Sequence, residues 1–208
     1  PPLTAQNNLV LWYPFEDSNG SKILDFSGNG IDGNLTGGSA VAGKFGTSLS
    51  IQPEDMVSAN GNDLGLFRDV TISTWTKIGE GSRGIIYDSG QCRIEYHEDN
   101  TISGYLRAGG IWNRIKSNSV LGRWVHYAMR YDGSELSFFV DGNKTASASV
   151  SGNLEWSQEE DKSISLGRVV APPLNPPTDS LELWLDANDT GTMFVNSDGT
   201  GVSPLDNE

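Results

Sequence analysis

Hydrophobic and polar residues alternate with a period of two through much of the segment 121–146, which predicts extended strands with two distinct sides. The dipeptides Asp132-Gly133 and Asp141-Gly142 interrupt the alternation. Asp-Gly between apolar strands favours a tight primed turn, because glycine adopts the positive φ that such turns need. The segment is therefore predicted to be an antiparallel meander. One side of its first strand carries Trp124, His126, Ala128 and Arg130, and the other carries Val125, Tyr127, Met129 and Tyr131.

The rest of the chain also divides into short strand-like segments, which contain β-branched or aromatic residues and are bounded by Gly, Asn, Asp or Ser. The single helix-like segment, 63–68, is too short to change the fold class. Short strands at this spacing predict an all-β protein, a two-sheet antiparallel β-sandwich. The predicted strands outside the meander are 9–15, 23–26, 48–51, 56–58, 70–78, 84–88, 91–97, 101–107, 111–117 and 164–168.

Charge and composition limit the classes of partner that the chain is expected to bind. The 208 residues carry a formal net charge of −13, which argues against nucleic acid, because phosphate binding depends on Lys and Arg displacing counterions. Membrane insertion is not expected, since no window approaches the roughly 20 apolar residues of a membrane span. Cys92 is the only cysteine, so an internal disulfide is impossible and a buried, inert thiol is predicted.

The chain contains the motifs WVHYAMRYDG and LSFFVDG in the meander, LWYPFE at 11–16, DFSGNGIDG at 25–33, GKFG at 43–46 with SLS at 48–50, and VTISTW at 70–75. Together these motifs resemble the concanavalin A-like, laminin-G-like jelly-roll superfamily, in particular its bacterial and phage-borne branch. They occur in the family's order over roughly residues 8 to 168. The superfamily includes lectins, glycosidases, lyases, adhesion modules and virion parts, so the resemblance implies the fold and leaves the function open.

The predicted domain organisation is a linker at 1–8, a laminin-G-like sandwich at 9–170, and a Pro-rich linker or crossover at 171–180. Residues 181–208 begin with LELWLD, which echoes the LVLWYP of 9–14. This segment either closes the sandwich or starts a second, truncated module. We favour the closing strand, because an open sheet edge invites association with other chains.

The loop from Asp25 to Gly33 is the most informative polar cluster. Calcium takes six to eight oxygen ligands, and the loop offers carboxylates and backbone carbonyls. The resemblance implies a structural calcium here, completed by an acidic residue of the closing strand. In the alternative reading, Asp25 and Asn29 only hydrogen-bond backbone amides as Asx-turns. The predicted calcium ligands are Asp25, Gly28, Asn29, Asp32 and Asp186, with Glu182 as an alternative to Asp186.

Trp112 is the tryptophan predicted to bind a ligand, whereas Trp12, Trp75 and Trp124 lie in strand patterns that predict core packing. Sugars bind by stacking on exposed rings while polar side chains fix the hydroxyl groups. Trp112 follows a Gly-Gly turn and has polar neighbours, which predicts a carbohydrate platform on the concave face. Its predicted residues are Trp112, Arg107, Asn113, Arg114 and Tyr105.

The function predicted from these features is a non-catalytic binding or adhesion module, extracellular or at the cell surface, stabilised by calcium and recognising a glycan or a protein surface. One alternative is a virion structural part, a capsid decoration or fibre module of a marine phage, with self-assembly or neighbouring modules at its edges. A second alternative is a polysaccharide hydrolase or lyase. The segment 95–99 lacks the E-x-D-x-x-E spacing of related glucanases, and Arg93, Tyr96 and His97 have only the residue types of a lyase.

Overall fold

The computed structural model describes residues 9–16, 20–64, 68–79, 83–157, 162–170 and 181–184. Within these ranges the chain forms strands and one short 3₁₀ helix, Asn62–Leu64. In chain order the strands are β1 Lys22–Ile23, β2 Gly33–Thr36, β3 Ser39–Ala42, β4 Thr47–Ile51, β5 Met56–Asn60, β6 Val70–Lys77, β7 Arg83–Asp88, β8 Cys92–His97, β9 Thr101–Ala108, β10 Ile111–Asn118, β11 Val125–Tyr131, β12 Glu135–Val140, β13 Asn143–Ser149, β14 Ser163–Val170 and β15 Leu181–Trp184.

The strands form two antiparallel sheets. The eight-stranded sheet has the order β1-β2-β5-β14-β7-β8-β9-β10, and the seven-stranded sheet has the order β13-β12-β11-β6-β15-β4-β3. Strands that are distant in sequence pair within each sheet. The consecutive hairpins β7 to β10 and β11 to β13 each end at a sheet edge, and these two edges face each other, with the Ser117 hydroxyl of β10 donating to Thr145 of β13 at 2.8 Å. The predicted all-β sandwich fold is confirmed.

The meander follows its predicted register. Tyr127 and Met129 of β11 are buried between the sheets, whereas His126 and Arg130 lie on the opposite, outer side. Burial of one side stabilises each strand by roughly 25 cal/mol for each Å² of apolar surface removed from water. The alternation read from the sequence therefore identifies the inward side chains correctly.

Both Asp-Gly dipeptides form tight turns, but the turns differ. Asp141 and Gly142 both have positive φ, 47° and 77°, between the paired residues Val140 and Asn143. This is the pattern of a type I′ turn. In the other turn Gly133 has a φ of 89°, and the Asp132 carboxylate accepts hydrogen bonds from the amides of Ser134 and Glu135.

Three parts of the fold differ from the sequence-based expectation. Residues 9–14 form no strand, although Leu11 and Tyr13 are buried. The short strands β2 and β3, which were not predicted, consist mainly of small or polar residues with a weak strand signal. Trp75, predicted to be in the core, is half-buried on the outer side of β6 opposite His126.

The last described strand, β15, lies inside the seven-stranded sheet. It pairs with β4 on one side and with β6 on the other, so the backbone of 181–184 is part of the sandwich. The predicted segments 1–8 and 171–180, and the remainder from 185 to 208, lie outside the described residues.

The two sheets approach closely at Gly104 of β9. A Cβ atom at this position would lie 2.7 Å from Met129 Sδ and 3.1 Å from Phe138 Cδ2, both in the opposite sheet. We expect Gly104→Ala to lower the free energy of unfolding by about 1–3 kcal/mol through overpacking. Denaturant unfolding of Gly104→Ala in a Met129→Ala background tests whether overpacking causes the loss. Removal of the Met129 side chain should abolish most of the decrease in unfolding free energy that Gly104→Ala produces.

Gly122→Ala is the control for this prediction. Gly122 has a φ of 72° and open space around a Cβ, so its substitution introduces backbone strain and no clash. The loss caused by Gly122→Ala should be the same in both backgrounds. Equal losses for Gly104→Ala in the two backgrounds would contradict the proposed contact.

Candidate functional site

The outward side of strands β7 to β10 forms a polar surface, which we name the β7–β10 face. Strand pairing places Asp88, Arg93, Tyr105 and Arg114 in one row across the four strands, and Ile85, Glu95, Ser103 and Lys116 in the next. Because β10 is the last strand of its sheet, the face reaches the sheet edge.

Four of the five residues predicted to bind a glycan lie together on this face. Trp112 of β10 is paired with Arg107 of β9, and Arg114 is paired with Tyr105. The Trp112 side chain is 37% exposed. The guanidinium carbon of Arg114 lies 5.3 Å from the centre of the Tyr105 ring, within the range of a cation–π contact.

Asn113, the fifth predicted residue, is not part of this group. It lies one position from Trp112 on the strand and therefore on the other side of the sheet. Its amide nitrogen donates to the carbonyl oxygens of Leu106, Ala108 and Ile111 at 3.3–3.4 Å. Asn113 stabilises the β9–β10 hairpin.

Residues that were not predicted for the site complete the face. Arg93 lies 6.0 Å from the Trp112 ring centre and donates from Nε to Asp88 Oδ2 at 2.8 Å. Arg83 contacts Glu95 Oε1 at 3.2 Å. The period-two pattern of β8 could have identified these residues from the sequence, because it places Arg93, Glu95 and His97 on one side of the strand.

A second network joins β8, β9 and β10. The Ser103 hydroxyl accepts hydrogen bonds from Arg114 Nε and Nη2 at 3.0 and 2.9 Å and lies 3.0 Å from His97 Nε2. Nη2 of Arg114, which can only donate, also lies 3.5 Å from His97 Nε2; this contact makes Nε2 the acceptor and assigns the ring proton to Nδ1. Burial lowers the pKa of His97 below 6.5, against the opposing effect of Glu95.

The carboxylates of this face are bonded to basic groups. Asp88 accepts from Arg93, Glu95 accepts from Arg83, and Asp99 accepts from Lys116 at 2.9 Å. Hydrogen bonds from Thr101 and Lys116 lower the pKa of Asp99 to about 2. Tyr96, one of the three lyase-type residues, is buried in the core, so the structure does not bring it together with Arg93 and His97.

The Asp25 loop lies elsewhere, beside the irregular segment 9–14. Asp25 Oδ1 accepts from the amides of Trp12 and Ser27 at 3.0 and 2.9 Å. Asp25 Oδ2 accepts from the Ser27 hydroxyl at 2.8 Å and the Ile31 amide at 3.0 Å. The Asp25 carboxylate is therefore one of several groups that connect the loop to the preceding segment.

Other predicted calcium ligands also have protein partners. Asn29 Nδ2 donates to the carbonyls of Leu9 and Val10. Asp32 Oδ1 accepts from the Asp25 amide, and Asp32 Oδ2 lies 2.6 Å from Lys22 Nζ. The Asp25 amide, followed by Lys22, lowers the pKa of Asp32. Gly28 has a φ of 92° in the turn of the loop.

These contacts bear on whether calcium fits the loop. Calcium takes six to eight oxygens, and the loop's carboxylates already accept from amides, a hydroxyl and an ammonium group. Within the part of the chain that the structure describes, no group of three or more His, Cys, Asp or Glu residues is placed to hold a metal. Asp186 and the side chain of Glu182 lie outside the described atoms. The described ligands alone do not fit calcium, and its binding stays a prediction.

The two antiparallel sheets define a β-sandwich domain of the jelly-roll class. Residues 52–187 match Laminin_G_3, the Concanavalin A-like lectin/glucanases superfamily, and the chain belongs to this superfamily. Comparison of the sequence with curated proteins finds no significant match.

Solved structures share the fold at low identity. Domain 4 of AbnA, a GH43 extracellular arabinanase from Geobacillus stearothermophilus in complex with arabinotriose, is 16% identical with a TM-score of 0.60, covering 94% of this chain and 98% of that domain. Trypanosoma rangeli sialidase is 16% identical with a TM-score of 0.58, covering 95% of this chain and 32% of the sialidase. Among the described residues, no helix is long and apolar enough to span a membrane.

The Asp25 contacts predict a structural role that does not require metal. Asp25→Ala removes an acceptor of four hydrogen bonds and should lower the free energy of unfolding by at least about 2 kcal/mol, since hydrogen bonds to charged groups contribute about 1.5–3 kcal/mol each. Asp55→Ala is the control, because Asp55 caps a separate exposed turn through the Gln52 amide.

Thermal melting with calcium and with EDTA separates the two readings of this loop. A loop held by its hydrogen bonds should melt within about 1 °C under both conditions. Bound calcium would stabilise the folded state by mass action, so EDTA would then lower the Tm of the wild type by several degrees.

The His97 environment predicts a pH effect on stability. The pKa of His97 is lower in the folded protein than its ordinary value of 6.5, so the unfolded chain binds more protons as the pH falls through this region. The free energy of unfolding should therefore decrease between pH 7.5 and pH 5.5. The decrease should be smaller in His97→Gln, which keeps an acceptor for Arg114. Identical pH profiles would contradict this assignment, and His126, present in both proteins, cancels in the comparison.

Proposed function

We propose that this chain is a non-catalytic carbohydrate-binding domain of an extracellular protein, and that it binds glycans on the β7–β10 face. The observation that carries the proposal is the exposed Trp112 ring, paired across the hairpin with Arg107 and contacted by Arg93. An exposed indole among fixed polar groups suits a sugar, which offers an apolar ring face and a rim of hydroxyls.

The rigidity of the surface supports this function. Trp112 lies on a strand, next to a Gly-Gly turn whose two residues have positive φ, 62° and 81°. Arg93 is held by Asp88, so the side chain beside the indole is already oriented. Groups that are ordered before binding lose less conformational entropy when the ligand arrives.

The acids of the face support binding without hydrolysis. A glycosidase needs two carboxyl groups flanking the scissile bond, one to donate a proton and one to act as base or nucleophile. Asp88 and Glu95 are both engaged by guanidinium groups of the same face. Their role in this proposal is to orient arginines.

Relatives of the same fold are compatible with the proposal. The similar domain of the Geobacillus arabinanase belongs to an extracellular enzyme and was solved with arabinotriose. Because the identity is low, this similarity supports the sugar class in general and does not identify the sugar. The extracellular location proposed here also rests on this similarity, because the arabinanase is an extracellular enzyme.

A glycan array tests the proposal. The wild type should bind at least one glycan, and Trp112→Ala should reduce that binding about tenfold or more, since central aromatic contacts commonly contribute more than 1 kcal/mol. Phe45→Ala is the matched control, because Phe45 is an exposed aromatic residue beside Trp75 of the other sheet.

Two results would contradict the proposal. Equal binding by the wild type and Trp112→Ala would exclude this face as the site. No signal on a broad array would favour the alternative, a structural part of a virion, for which contacts at sheet edges matter more than a sugar platform.

A further inference from the structure

Charge is distributed unevenly along this acidic chain. The segment 83–118, which contains β7 to β10, carries five basic and four acidic side chains. The whole chain has a net charge of −13, so all of the excess negative charge comes from other segments. The segment that forms the β7–β10 face is therefore close to balanced in charge, with one more basic than acidic side chain, within a strongly acidic chain.

Two arginines of this face have no carboxylate partner among the described residues. Arg107 is half-buried, and its Nε makes no hydrogen bond. Arg114 donates to the Ser103 hydroxyl and to His97, both neutral groups. By contrast, Arg83, Arg93 and Lys116 each pair with an acid.

A half-buried guanidinium without a counter-charge loses hydration and receives no compensation from the protein. An anionic ligand would supply the missing counter-charge. Arg107 and Arg114 lie on adjacent strands, diagonal to one another across the β9–β10 ladder. Diagonal positions are roughly 7–8 Å apart, so the long side chains can both reach one anionic group.

The aromatic rings lie where the sugar bearing that charge would stack. Trp112 is directly opposite Arg107, and Tyr105 is directly opposite Arg114 and supports its guanidinium from below. Nε and Nη2 of Arg114 donate to Ser103, which leaves Nη1 of the stacked guanidinium to donate to an oxygen of a carboxylate or a sulfate.

We propose that the β7–β10 face recognises an acidic sugar, one bearing a carboxylate or sulfate group, through Arg107 and Arg114. This inference rests on the proposed glycan-binding function and adds the chemical class of the ligand. Trp112 provides the stacking surface, and the two arginines provide the discrimination between charged and neutral sugars.

Isothermal titration calorimetry with polygalacturonic acid and its fully methyl-esterified form tests the charge requirement, because the two polymers share one backbone. κ-Carrageenan, which carries sulfate and no carboxylate, distinguishes the two anionic groups. We expect one or both acidic polymers to bind, the methyl ester to bind at least tenfold more weakly, and 0.5 M NaCl to weaken binding.

Arg107→Gln and Arg114→Gln should each weaken acidic-polymer binding at least tenfold while the melting temperature shows that the variants are folded. Arg123→Gln is the matched control, since Arg123 is exposed and pairs with Asp141 at a turn of the other sheet. It should bind as the wild type does.

Two outcomes overturn the inference in distinguishable ways. Trp112-dependent binding of neutral glycans that is unaffected by Arg107→Gln would refute the acidic-sugar assignment and leave the proposed function intact. Failure to bind any polymer here and any glycan on the array would remove the proposed function and this inference together.

Discussion

The structure depends on one constraint, the requirement that each strand bury one side against the opposite sheet. Gly104 shows how tight this packing is, because it has room for a hydrogen and none for a methyl group beside Met129 and Phe138. A shift of one residue in register would turn every inward side chain of a strand outward. The buried side therefore fixes which residues are available for binding on the other side.

That constraint explains why a polar surface can be so well ordered. Ser103 has no exposure and Glu95 is 8% exposed, although both point away from the core. The long side chains of Arg114 and Arg83 lie over them and donate hydrogen bonds to them. Aliphatic stems of arginines cover the sheet while their charged ends remain near solvent, so the face combines partial burial with positive charge.

Local patterning was sufficient to predict the meander and the primed turn at Asp141-Gly142. It also selected four residues that lie together on the β7–β10 face. Asn113 lies apart from these four, because a residue adjacent to Trp112 on a strand faces the other side of the sheet. The residues 9–14 are different. Their apolar spacing reflects burial in an irregular conformation. Asp25 stabilises this conformation by accepting a hydrogen bond from the Trp12 amide, 13 residues earlier in the chain. Periodicity does not encode such distant hydrogen bonds.

Asp25 also shows why a motif can be recognised while its chemistry stays open. A sequence reports which oxygens a loop contains, but the ability to bind a cation depends on which of those oxygens remain without donors. In this loop both oxygens of Asp25 accept hydrogen bonds from the protein, and Asp32 faces Lys22. Asp25 joins the loop to the preceding segment, a connection that a metal or a disulfide provides in other small domains. The carboxylate is suited to this role because it accepts several hydrogen bonds at once, each stronger than a bond between neutral groups.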